Sequence, residues 1–97
     1  MSKKVEPLPL RQSNDGRWEV ENDSGIWIKC KNEEDAKILS KAPIVLQESF
    51  EVFHPNEKVA AKLDETAEKM EQYNMSLGSR YFREMAKCAR GNRREIA

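Results

Sequence analysis

Long apolar runs, histidine and cysteine are what this sequence has least of. No stretch approaches the roughly 20 consecutive apolar residues that a membrane-spanning helix needs, and Met1-Ser2-Lys3-Lys4-Val5-Glu6-Pro7 lacks the apolar segment of a secretory signal. The expectation is a cytoplasmic protein with no membrane partner. Cys30 and Cys88 are the only cysteines, and without a secretory signal they read as buried free thiols and not as a disulfide. His54 is the only histidine, and neither cysteine stands at a ligand spacing from it. That excludes a metal centre built on histidine, and a loop histidine in solvent is the reading of His54. The four glycines, Gly16, Gly25, Gly78 and Gly91, are isolated, so no phosphate-cradling loop is present, nor any nucleophile elbow. With no convergent constellation of acid, base and nucleophile the chain reads as a non-enzyme that needs no cofactor. Adjacent carboxylates such as Glu33 and Glu34 carry no hydrolase signal of their own.

What is present is charge, in balance. Seventeen basic and seventeen acidic side chains cancel over 97 residues, so net charge selects neither nucleic acid nor membrane as partner. Their placement is uneven: residues 48–72 sum to −4 and residues 73–97 to +4. Hydrophobic residues at 38% are enough for one small core without a deep cleft. The chain is therefore expected to be a single domain over 1–97, with a loose arm at 1–7, a β-meander at 8–31, a helical part at 32–91 and a frayed tail at 92–97.

The periodicity of the apolar residues sets the element order. Pro7 and Pro9 restrict the first stretch to extended geometry, and Asn14-Asp15-Gly16 is a turn signal. Arg17-Trp18-Glu19-Val20-Glu21 alternates polar and apolar residues, as does Ile26-Trp27-Ile28-Lys29-Cys30. These are two half-buried strands joined by Asn22-Asp23-Ser24-Gly25, with residues 8–12 as a third, outer strand. One tryptophan is expected in the core and the other exposed on the hairpin.

At Asn32 the period changes. Asn32 can cap a helix over 33–41 that turns Ala36 and Leu39 toward the sheet. Pro43 predicts a second helix from Ile44 to Phe53, and Pro55 a third to about Asn74 with Val59, Leu63, Thr66, Ala67, Met70 and Tyr73 on its apolar side. Gly78 is expected to end that segment, Ser79 to cap a last helix to Arg90, and Gly91 to stop it. The fold class is α+β: an N-terminal antiparallel meander of two or three strands followed by about four helices packed on one face.

The segment Glu34-Asp35-Ala36-Lys37-Ile38-Leu39-Ser40-Lys41-Ala42-Pro43 resembles the Asn-Ala-Arg-Leu-Ile-Ala-Ala-Ala-Pro stretch of short phage and prophage accessory proteins. Pro7 to Pro9, Trp18, Gly25, Ile44 to Phe53 and Ala89-Arg90-Gly91 fit the plan of that class. Asp35 stands where the class has Asn, and Ser40-Lys41 replaces two alanines. The class includes anti-CRISPR proteins, so the resemblance implies an inhibitor whose partner is a host protein complex, with a CRISPR-Cas surveillance complex as the candidate.

Two surfaces then compete for the role of contact. On a helix advancing about 100° per residue, Asp64, Glu68 and Glu71 fall within about 40° of Glu57 and opposite the apolar side. These four carboxylates form a stripe about 21 Å long at about 1.5 Å per residue, to which Glu48, Glu51 and Glu65 add. Such a stripe can occupy a basic groove that normally holds DNA. The alternative for the same stripe is an ordinary solvated face, neutralised by Lys58, Lys62 and Lys69. The second surface is the basic C-terminal helix, where Arg80, Arg83, Lys87, Arg90, Arg93 and Arg94 interleave with Tyr81 and Phe82 and could contact a nucleic-acid backbone directly. The preferred reading is the inhibitor with an acidic, DNA-mimicking helix and no direct nucleic acid; the other is a small nucleic-acid-binding regulator.

Overall fold

The structure is a computed structural model that describes residues 5–91. It is α+β, with strands β1 (Leu10–Gln12), β2 (Trp18–Glu21) and β3 (Trp27–Lys29) followed by helices α1 (Glu33–Ser40), α2 (Ala42–Phe50), α3 (Glu57–Gln72) and α4 (Ser76–Ala89). The chain forms two compact units divided between Ile44 and Val45. Residues 1–4 of the expected arm and the tail at 92–97 lie outside the described residues.

In the first unit the three strands form an antiparallel sheet in the order β1-β2-β3. Both turns form where Gly and Asx residues were expected to make them. Asp15 accepts the Arg17 N–H at 3.1 Å, and Gly16 takes φ +85, a left-handed conformation that glycine adopts without a Cβ penalty. In the second turn the Asn22 side chain accepts the N–H groups of Ser24 at 2.9 Å and Ile26 at 3.0 Å. Helix α1 starts as the sequence predicts, with Asn32 Oδ1 accepting the Asp35 N–H at 2.8 Å. It packs on β1 and β2, and Ala36, Leu39, Val20 and Cys30 are buried. A latch that the sequence did not announce ties the arm to this helix. Leu8 N–H donates to the Ser40 carbonyl at 2.8 Å, and Ser40 Oγ donates back to the Leu8 carbonyl at 2.7 Å.

Several expectations need correction. Lys41 alone separates α1 from α2, so the expected four helices amount to three helical arms, the first of them bent. Helix α2 begins at Ala42 and stops at Phe50; Phe53 is outside it and 85% exposed. Pro55 does not open α3. Asn56 does so instead, accepting the Val59 N–H at 3.2 Å, because an Asx side chain can satisfy a helical N–H and proline cannot. The stop after α3 is not Gly78 but Asn74 at φ +63, since asparagine also tolerates the left-handed region. Gly78 is free to sit inside α4, where a Cβ would lie 3.2 Å from Met70 Sδ. Ser79 is then three residues into α4 and buried, and Met75 precedes the helix without a side-chain cap. Neither tryptophan is core: Trp18 and Trp27 are both half-buried.

In the second unit α3 and α4 pack on each other. They run antiparallel, since the Asn56 N–H reaches the Ala89 carbonyl at one end and Ser79 reaches Glu71 at the other. Ala60, Leu63, Ala67, Phe82, Ala86 and Ala89 fill the seam, all buried.

The Leu8–Ser40 latch generates a prediction. Ser40→Ala removes one of its two hydrogen bonds and leaves a part-buried carbonyl without its donor, so stability should fall by about 1 kcal/mol. Chemical denaturation of the wild type and the variant checks this, and proteolysis should show residues before Leu10 cut sooner in the variant.

Candidate partner-binding surface

Helices α3 and α4 bring the two expected surfaces together. Glu57, Asp64 and Glu71 recur every seven residues on α3, and Arg83 and Arg90 stand seven apart on α4. Two antiparallel helices with that shared spacing place the charges on facing flanks of one seam. Arg90 Nη2 donates to Asp64 Oδ2 at 2.7 Å, and Arg90 also contacts the Glu57 carboxylate at 3.2 Å. Arg83 Nε donates to Glu71 Oε1 at 2.7 Å, and Arg83 Nη1 lies 3.9 Å from Asp64. Ser79 Oγ donates to the same Glu71 oxygen at 2.8 Å. The Ser79 hydrogen bond and then Arg83 hold the Glu71 carboxyl below its ordinary pKa. Hydrogen bonds from Arg90 to Glu57 and then to Asp64 raise the arginine's own.

Three of the four stripe carboxylates are thus partnered within the protein, by arginines that the second surface would have offered to a phosphate backbone. The fourth, Glu68, is exposed and makes no ion pair among the described residues, and the same holds for Glu51 and Glu65. Glu48 meets Lys62 at 3.5 Å. On the basic side Arg80 is exposed and unpaired among the described residues, and Lys87 lies 3.6 Å from Glu84. Arg93 and Arg94 lie outside the described residues. The cations seen to meet the stripe are Arg83 and Arg90, whereas Lys62 meets Glu48 on α2.

A feature that sequence reasoning placed inside a helix is the connection from α2 to α3. Phe50 is 58% and Phe53 85% exposed, so two aromatic rings stand in solvent at the start and middle of one short loop. Beside Phe53, residues Glu48, Glu51, His54 and Asn56 rim an open cavity of about 400 Å³ whose apolar wall includes Val52, Pro55 and Val59. Val52 and Val59 are buried and give the loop a fixed floor. The only signal in the sequence was Pro55, which disfavours helical geometry at the residue before it.

Cys30 and Cys88 are both buried free thiols. Burial, with Asp35 as a smaller cause, pushes the Cys30 thiol up to about 11. Among the described residues no group of three or more His, Cys, Asp or Glu side chains converges as metal ligands, and no helix is long and apolar enough to cross a membrane. No family model matches the chain, and neither a curated protein nor a solved structure matches it.

The ladder makes a pH dependence. Because the folded-state pKa of Glu71 is depressed, its contribution is present above the unfolded value and lost as pH falls through the folded value. Thermal stability should therefore decline as pH drops below the ordinary glutamate value of 4.5. Glu71→Gln should flatten part of that decline while leaving the fold intact, which melting curves across the acid range will report.

Proposed function

We propose that this protein is a non-catalytic inhibitor that docks on a host nucleic-acid-handling complex, a CRISPR-Cas effector being the first candidate, and keeps nucleic acid from its site. The observation that supports this best is the corner between α2 and α3. There Phe50 and Phe53 are exposed on either side of Glu51, whose carboxylate makes no ion pair among the described residues, and Glu51 and Phe53 line an open cavity. Aromatic anchors next to desolvated pockets dominate binding energy at protein interfaces, and a monomer rarely shows such rings to water without use for them. The partner class comes from the resemblance to short prophage proteins.

The ladder changes which carboxylates a basic groove would meet. For Glu57, Asp64 and Glu71 to mimic DNA phosphates, a partner's Lys and Arg would first have to displace Arg83 and Arg90, giving up one charge-assisted contact for each one gained. Glu51, Glu65 and Glu68 carry no such cost. The contact is therefore assigned to the α2–α3 corner, with these three carboxylates setting the approach of a basic surface. Direct nucleic-acid binding through α4 is less supported, because two of its cations serve the ladder.

Labelled duplex bound to purified CRISPR-Cas effector complexes, challenged with added protein, tests the proposal. Wild type should displace the duplex from at least one complex. Phe53→Asp should weaken that competition about tenfold or more, as loss of a central anchor costs about 1–2 kcal/mol or above. The triple variant Glu57→Gln, Asp64→Asn, Glu71→Gln should compete like wild type. No displacement from any complex, or full competition by the folded Phe53→Asp variant, would overturn the reading.

A further inference from the structure

The sheet of the first unit treats its two edges differently. Backbone register fixes which groups point outward. Cys30 N–H donates to the Trp18 carbonyl and Asn22 N–H to the Ile26 carbonyl, so Ile26, Ile28 and Cys30 are the residues of this strand that bond to β2. Trp27 and Lys29, opposite Glu21 and Glu19 in the register, aim their N–H and C=O groups at the open side. No hydrogen bond fills them among the described residues. On the other side of the sheet α1 packs against β1, and Ser40 takes both the N–H and the carbonyl of Leu8, two residues ahead of that strand. Helix α1 packs on β1 and β2 and leaves β3 aside, so the apolar row of β3 lacks a cover from that helix: Ile26 is 59% exposed and Ile28 half-buried.

We propose that the open edge of β3 pairs with β3 of a second copy of this chain, antiparallel about a two-fold axis at Ile28. This register uses every outward group of the strand, because Trp27 then faces Lys29 of the other copy and Lys29 faces its Trp27, four backbone hydrogen bonds in all. The side chains suit one another in the same register. Lys29 comes beside the indole of the facing Trp27, a cation on an aromatic ring. One face of that ring already carries Arg11, whose guanidinium lies 3.7 Å from the centroid, and the proposed register gives the opposite face to Lys29. Glu19, bonded to Arg11 at 2.8 Å, and Glu21, beside Trp27 in the register, balance the two cations. On the opposite side of the sheet Ile28 meets Ile28 across the axis in a non-hydrogen-bonded pair, where side chains approach most closely. Because a two-fold pairing uses the β3 edge of both copies, it closes at two copies. An edge this short gives a weak, reversible dimer.

Sedimentation of the full chain over a concentration series should show mass rising from one copy to two and no further. Ile28→Lys sets like charges on the axis and should hold the chain at one copy with an unchanged circular dichroism spectrum. Ile28→Cys supplies a test that does not depend on loss of association: the thiols should oxidise to a covalent dimer in solution, whereas the parent chain, with both thiols buried, should give none. A single-copy mass at every concentration up to the solubility limit, or no cross-link from the folded Ile28→Cys variant, overturns the proposal. So would assembly beyond two copies, or an added extended peptide shifting the Trp27 and Lys29 amide signals of a chain that stays single.

Discussion

Small side chains along the α3–α4 seam govern the electrostatics of the second unit. Ala60, Ala67, Ala86 and Ala89 are all buried, and alanines at such positions let two helices approach closely. Gly78 extends that closeness to the end of the pair, where Met70 lies against the position a Cβ would take. Close approach brings the flanks of the seam within reach of long side chains. Arg83 and Arg90 sit on one flank and Glu57, Asp64 and Glu71 on the other, each set spaced by seven, so the ion pairs follow from the packing. Larger residues in the seam would push the helices apart and leave five charges in solvent, an acidic face on one helix and a basic face on the other.

The compensation redistributes what the surface can offer. A balanced helix pair presents little long-range field to either DNA or a DNA-binding groove, because each carboxylate's potential is offset by a guanidinium a few ångströms away. In the proposed function, recognition then rests on shape and apolar contact more than on steering. The α2–α3 corner has both, with two exposed rings above a floor of buried valines. Glu51, without an ion pair among the described residues, would give the proposed contact a sign.

The element order could be read from the sequence because period and turn chemistry agreed: alternation through Trp18–Glu21, an Asx-Gly turn on either side of β2, then Asn32 at the change of period. Boundaries failed where two local signals competed for one role. Gly78 and Asn74 can both end a helix, and packing against Met70 decided for Asn74. Ser79 looked like a cap because it follows a glycine, yet its hydroxyl serves Glu71 across the seam. The stripe was visible on one helix and the basic row on the other, but treating each helix alone hid their relation. The shared spacing of seven in consecutive antiparallel helices was the missing signal, and it becomes readable only when the two are considered as a pair. The Leu8–Ser40 latch had no such signal, since any main-chain group of the arm could have met that serine.

The same logic separates the two margins of the sheet. A strand edge becomes quiet in one of two ways: something binds its backbone groups, or the strand is too short and too charged to invite pairing. Just ahead of β1 the first holds at Leu8, through Ser40. At β3 the strand is short and carries Lys29, yet the residue beside that lysine is a tryptophan and the inward row is isoleucine, so the charge that would repel an arbitrary strand is the one that a second β3 can receive on its indole. An edge of this composition discourages open-ended association while remaining complementary to itself. Specificity of this kind comes from a repulsive element and an attractive one acting at the same position, and in this chain both reside in the three residues from Trp27 to Lys29.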